Sequence, residues 1–162
     1  MVLTRKLETI LRRFVCCALL VAPIAHADAL PAFKDFPASA PYSGPVAKPK
    51  LVTKEDRMYR TRLRESAKQT PNFAGHYVLT VFGCGASCVQ AAALDAKTGK
   101  VTWLPFTVCC ASTNAEPDAE PLDFRLNSRL LVVTGSRNEE GSGRYFYALE
   151  DGRFKLIRET AR

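Results

Sequence analysis

Between His76 and Glu159 the sequence is cut into short runs: HYVLTVFG, CVQAAALD, KVTWLPFTV, RLLVVTGS, RYFYALE and RFKLIRE. Each is rich in valine, leucine and aromatic residues, and each is too short to form a packed helix. Apolar or alternating runs of this length, bounded by turn residues, read as strands. The punctuation between them is specific. DAKTGK places Gly99 at the left-handed position of a hairpin turn, and EDGR offers an Asp-Gly turn. Sequential strands joined this way pair antiparallel. NAEPDAEPLD reads as a polar, proline-bearing loop and SRNEEGSGR as a long glycine-containing turn. No internal repeat supports a propeller or solenoid.

The region before the strands has a different character. Thr53 offers a helix N-cap with Asp56 three residues on, and KEDRMYRTRLRESAKQ has no breaker until Pro71, which predicts one helix over Lys54 to Lys68. At helical spacing Arg57, Arg60, Arg64 and Lys68 share one stripe, and Tyr59, Leu63 and Ser66 lie opposite. The helix should lie on the sheet by its Tyr59/Leu63 side. The basic stripe is a possible binding surface for an acidic partner or anionic lipid, although the interleaved Glu55, Asp56 and Glu65 make a solvated face the plainer reading. Ahead of the helix, Pro31, Pro37, Pro41, Pro45 and Pro49 deny helix and interior strand alike, so residues 28–50 read as an extended arm. Its Phe33, Phe36 and Tyr42 are expected to pack on the domain. The expected fold is α+β: one N-terminal helix on an antiparallel sheet or meander of about six strands, within a single domain over residues 51–162.

The first 27 residues read as a targeting segment. Arg5, Lys6, Arg12 and Arg13 precede an apolar run from Phe14 to Ile24, followed by small residues at Ala25 and Ala27, the order of a secretory signal peptide. Cleavage is expected after Ala27, with export to the periplasm or the medium and no permanent membrane span, because a spanning helix needs roughly 20 apolar residues. The mature chain then holds 19 basic and 15 acidic side chains, a net charge of +4 in place of +7 for the whole chain. That balance gives no ground for nucleic-acid binding.

Cleavage would also remove Cys16 and Cys17, leaving Cys84, Cys88, Cys109 and Cys110. A zinc site is disfavoured because vicinal cysteines on a strand point to opposite sides, and a redox centre because the Cys84–Cys88 spacing is not C-x-x-C. In an oxidising compartment disulfides are the expected use. If Asp95 and Lys100 close a hairpin, Leu94 faces Val101 and Cys88 faces Thr107, which favours a nested Cys88–Cys109 and Cys84–Cys110 pair, with the other connectivities open. A loop of about 20 residues closed this way would contribute ~3 kcal/mol.

With NFAGHYVLTVFGCGASC, DAKTGKV, PFTVCC and SRLLVVTGSRNEEG in order, the chain resembles a family of small uncharacterised exported bacterial proteins, over roughly residues 50–158. The resemblance implies export and a single domain. It carries over no catalytic residue.

One histidine, His76, is left for acid–base work in the mature chain, at a strand start with no adjacent residue that demands a triad. Ser87 does not sit in a G-x-S-x-G elbow, and Gly83 and Gly85 form no phosphate loop. No metal and no cofactor is expected. The leading expectation is a non-enzymatic module that binds another envelope or secreted protein, of inhibitor or immunity type, with Arg57, Arg60, Arg64, Lys68 and His76 as candidate contacts. The competing reading is an envelope hydrolase using His76 with Asp95, Asp123 or a serine, and a third is a structural or stress-related envelope protein.

Overall fold

The computed structural model describes residues 29–85, 87–109 and 120–161; the expected signal segment and Cys110 lie outside these. The strands are β1 (Tyr77–Gly85), β2 (Cys88–Asp95), β3 (Val101–Trp103), β4 (Val108–Cys109), β5 (Leu122–Phe124), β6 (Leu130–Arg137), β7 (Glu140–Glu150) and β8 (Arg153–Ala161). All pairings are antiparallel, in the order β1-β2-β4-β6-β7-β8, with β3 beside β2 and β5 beside β6.

This corrects the α+β expectation. The sheet has eight strands, and the helical content is two short pieces, α1 (Lys54–Met58) and α2 (Arg60–Ser66). Two strands escaped the sequence reading for physical reasons. KVTWLPFTV makes both β3 and β4, because Pro105 has no N–H to continue the ladder after Leu104 N donates to Ala91 O at 2.9 Å. β5 forms at the end of the expected loop, where the Leu122 side chain is buried and the strand pairs with Leu131 to Val133. The helix breaks at Tyr59, whose φ of −97° and ψ of 19° leave the helical region. Its ring enters a trio with Phe82 at 5.0 Å and Trp103 at 5.2 Å, so tertiary packing overrides local propensity.

The inner face of the sheet holds the main core. Leu79, Ala91 and Ala93 from β1 and β2 meet Leu131, Val133, Tyr145, Tyr147 and Leu149 from β6 and β7, with Phe73, Leu104 and Phe106 filling between. The outer face has two covers. Over the β1 side lie α1 and α2, where Leu63 is buried and Thr80 Oγ1 donates to Ser66 Oγ at 2.6 Å. Asp56 fixes this cover: its carboxylate accepts from Val52 N and Thr53 N, and from Trp103 Nε1 at 2.8 Å. Burial raises its pKa, but the hydrogen bonds from Thr53, Trp103 and Val52 prevail and hold it below the ordinary value.

Over β6 and β7 lies the proline-rich arm. Phe33 and Phe36 pack on Leu130, Val132 and Phe146. Backbone bonds run from Ala38 N to Asn127 O, Tyr42 N to Gly75 O, Ala47 N to Ala96 O and Lys50 N to Gly99 O. Gly75 and Gly99 have φ of +80° and +75°, and a Cβ on either would collide with the arm backbone, at Ser39 and Lys48 respectively.

The disulfide expectation is also corrected. Leu94 does face Val101, but Cys88 faces Cys109 rather than Thr107, since the chain gains two residues around Pro105 before β4 rejoins β2. Despite that register, Cys88 is bonded to Cys84, whose Cα lies 5.3 Å away across the tip of the β1–β2 hairpin. Neither Cys88–Cys109 nor Cys84–Cys110 forms. The hairpin turns back at once, with Gly85 opposite Cys88, which brings the two sulfurs of Cys84 and Cys88 together locally. Cys109 is buried, its Sγ 3.0 Å from Ser136 Oγ. Among the described residues no helix is long and apolar enough to cross a membrane.

Candidate functional site

The β2–β3 turn and the β7–β8 turn lie side by side, although about 50 residues separate them in sequence. Thr102 Oγ1 donates to Gly152 O at 3.0 Å and clips the two hairpins together. Each turn has the chemistry its sequence announces. Asp95 Oδ1 accepts from Lys97 N at 2.8 Å and Oδ2 from Thr98 Oγ1 at 2.7 Å, while Gly99 takes the left-handed position. Asp151 and Gly152 have φ of 51° and 65°, both left-handed as a tight hairpin turn of the Asp-Gly kind requires.

Beside these turns opens a cleft of about 650 Å³, lined among others by Ser39, His76, Asp95, Lys100, Arg129 and Glu150. His76 enters because its carbonyl accepts from Ala96 N at 2.9 Å, which holds the start of β1 against the β2–β3 turn. Ser39 is brought by the arm, and its Oγ lies 3.5 Å from His76 Nδ1. On the far wall Arg129 donates from Nε to Pro37 O at 3.2 Å and pairs through NH1 with Glu150 at 3.3 Å. Lys155 joins Glu150 from the other side at 3.0 Å and lowers the pKa of that carboxylate.

Ser39, His76 and Asp95 therefore share one cleft, yet their geometry is not that of a nucleophilic triad. Asp95 Oδ1 stands 4.0 Å from His76 Nε2, beyond hydrogen-bond length, and both carboxylate oxygens serve the turn. Burial lowers the His76 pKa, the nearby Lys97 lowers it further, and Asp95 only partly opposes them. The balance favours the neutral ring.

Of the candidate contacts, only His76 lines the cleft. Arg57, Arg60, Arg64 and Lys68 are all exposed on or just beyond α1 and α2, outside its lining. Asp123 sits in β5 opposite Val132 and takes no part. Ser39, Lys100, Arg129 and Glu150 were missed by sequence reasoning. Lys100 and Glu150 flank the two turns, whose contact with each other is not encoded in either turn alone, and Ser39 and Arg129 come together only through the arm. Among the described residues no three His, Cys, Asp or Glu side chains are placed to share a metal ion. No protein-family model, curated protein or solved structure matches this chain.

Proposed function

We propose that this chain is a non-enzymatic binding domain, exported to the periplasm or the medium, which receives a segment of another envelope or secreted protein in the cleft between its two clipped turns. The carrying observation is the wall chemistry: Lys100, Arg129, Asp95, Glu150 and Asp151 surround His76, whose neutral form is favoured, beside the half-buried ring of Tyr77. Mixed charge beside apolar surface suits a polypeptide with its own side chains and amides better than a small ion of one sign. Lys100 makes no ion pair among the described residues, which leaves its ammonium available to a ligand carboxylate. The expected export rests on the N-terminal order of basic, apolar and small residues, and an inhibitor or immunity role fits a small domain with a rigid site.

The test is quantitative capture from envelope extract, comparing the wild-type protein with a Lys100→Glu/His76→Ala variant. A stoichiometric protein retained by the wild type and lost by the variant is the expected result; equal retention by both would reject the cleft as the site. One observation favours a hydrolase as second reading, the 3.5 Å approach of Ser39 Oγ to His76 Nδ1. It predicts turnover that disappears in Ser39→Ala.

A further inference from the structure

Residues 48–68 carry eight basic side chains and three acidic ones, a surplus of five, whereas the rest of the chain from Asp28 onward carries eleven and twelve. The positive charge of the mature protein is thus concentrated in its helical cover and the end of its arm. In sequence the three acids are interleaved with the basic stripe. The fold changes that for Asp56 and Glu55, which are engaged beneath the cover, while the exposed Glu65 offsets one cation of the stripe. Asp56 is 3% exposed and bonded to Trp103. Glu55 is half-buried and accepts from Gln90 Nε2 at 3.4 Å. Glu65 is paired with Lys68 at 2.8 Å.

Every one of the basic residues Lys48, Lys50, Lys54, Arg57, Arg60, Arg62, Arg64 and Lys68 is exposed. Among them stand the two most exposed large apolar side chains of the described residues, Val52 at 73% and Met58 at 63%. Tyr59, the one aromatic residue of the segment, turns inward to Phe82 and Trp103, so no ring is presented for stacking on bases.

From this juxtaposition we infer that the α1–α2 face is a peripheral docking surface for an anionic phospholipid bilayer. Lys and Arg near an anionic leaflet each gain from its surface potential. Exposed apolar side chains between them enter the boundary between headgroups and chains. A purely charged partner would satisfy the cations but gives no role to Val52 and Met58. Neither the cleft nor its occupant is involved, so this inference stands or falls apart from the proposed function.

The experiment is co-sedimentation with vesicles of phosphatidylglycerol in phosphatidylcholine, compared with phosphatidylcholine alone, across a salt series. Partition is read as the ratio of wild type to variant, so residues 1–27, common to both, cancel. Arg60→Gln/Arg64→Gln is expected to weaken partition about 25-fold at low salt, about fivefold for each charge, with the ratio falling as salt rises. Val52→Ser/Met58→Ser is expected to weaken it about tenfold. All four positions are exposed, and an unchanged circular dichroism spectrum verifies each fold. A ratio near one for the arginine pair overturns the inference. So does arginine-dependent binding to soluble polyglutamate that matches vesicle binding and ignores the Val52/Met58 pair, because it assigns the face to an acidic protein.

Discussion

The two covers of the sheet are held by different means. The helical cover grips through side chains, with Asp56 on Trp103, Tyr59 in the aromatic trio and Leu63 buried. The arm grips largely through its backbone, with four arm N–H groups bonded to the domain and Ser128 Oγ 2.9 Å from both Phe33 O and Phe36 O. A proline-rich segment has few donors, so each of those it uses counts. The difference also separates the two surfaces. The arm completes the cleft by supplying Ser39, whereas the helices turn Glu55 and Asp56 inward and leave a mostly basic face outside.

The sharpest way to break this contrast is at Asp56. Asp56→Ala leaves the Val52, Thr53 and Trp103 donors without their buried acceptor, and denaturant unfolding should show a loss of about 3 kcal/mol. Reducing the Cys84–Cys88 bond touches neither cover and serves as the reference. Its short loop predicts a loss of about 2 kcal/mol by the chain-entropy relation, less than the ~3 kcal/mol expected for a longer loop. On the arm side, Ser128→Ala removes the donor to Phe33 and Phe36 and the acceptor for Leu130 N, with an expected loss of about 1.5 kcal/mol. A Ser128→Ala loss equal to that of Asp56→Ala would erase the distinction between the covers.

The two regions should also part company with pH. His76 has a lowered pKa in the folded state, so the unfolded chain binds the proton first, and stability falls as pH drops through the ordinary histidine value of about 6.5 toward the lower folded one. Asp56 has a lowered pKa as well, but as an acid. Its contribution is complete above the ordinary carboxyl value of about 3.9 and is lost as pH falls through the folded value. Thermal midpoints measured from pH 8 to pH 3 should therefore show a small decline near pH 6 that His76→Gln abolishes, and a separate acid decline that it leaves intact.

Much of the local structure was legible. The Thr53/Asp56 capping box forms, with Asp56 N donating to Thr53 Oγ1 at 3.0 Å, and both hairpin turns form where Gly99 and Asp151-Gly152 stand. These depend on residues within a few positions of one another. What could not be read depends on meetings across the chain. Asp56 is a helix cap in sequence, but its tie to Trp103, 47 residues on, is tertiary. The cysteine pairing went astray because the tight tip at Gly85 was not recognised as bringing Cys84 to Cys88, a local bond that forms even though the two residues added around Pro105 set Cys88 opposite Cys109. In the cleft, His76 and Asp95 were named together, whereas Ser39 and Arg129 became visible only once the arm was laid across the turns.

The central claim is that the cleft recognises and does not catalyse. It is tested most directly by incubating the protein with a fluorophosphonate probe, which acylation-competent serines attack, and measuring intact mass with peptide mapping. The account predicts no adduct on Ser39, since Asp95 stands 4.0 Å from His76 Nε2 and serves its own turn. A stoichiometric adduct on Ser39 that His76→Ala abolishes would contradict it.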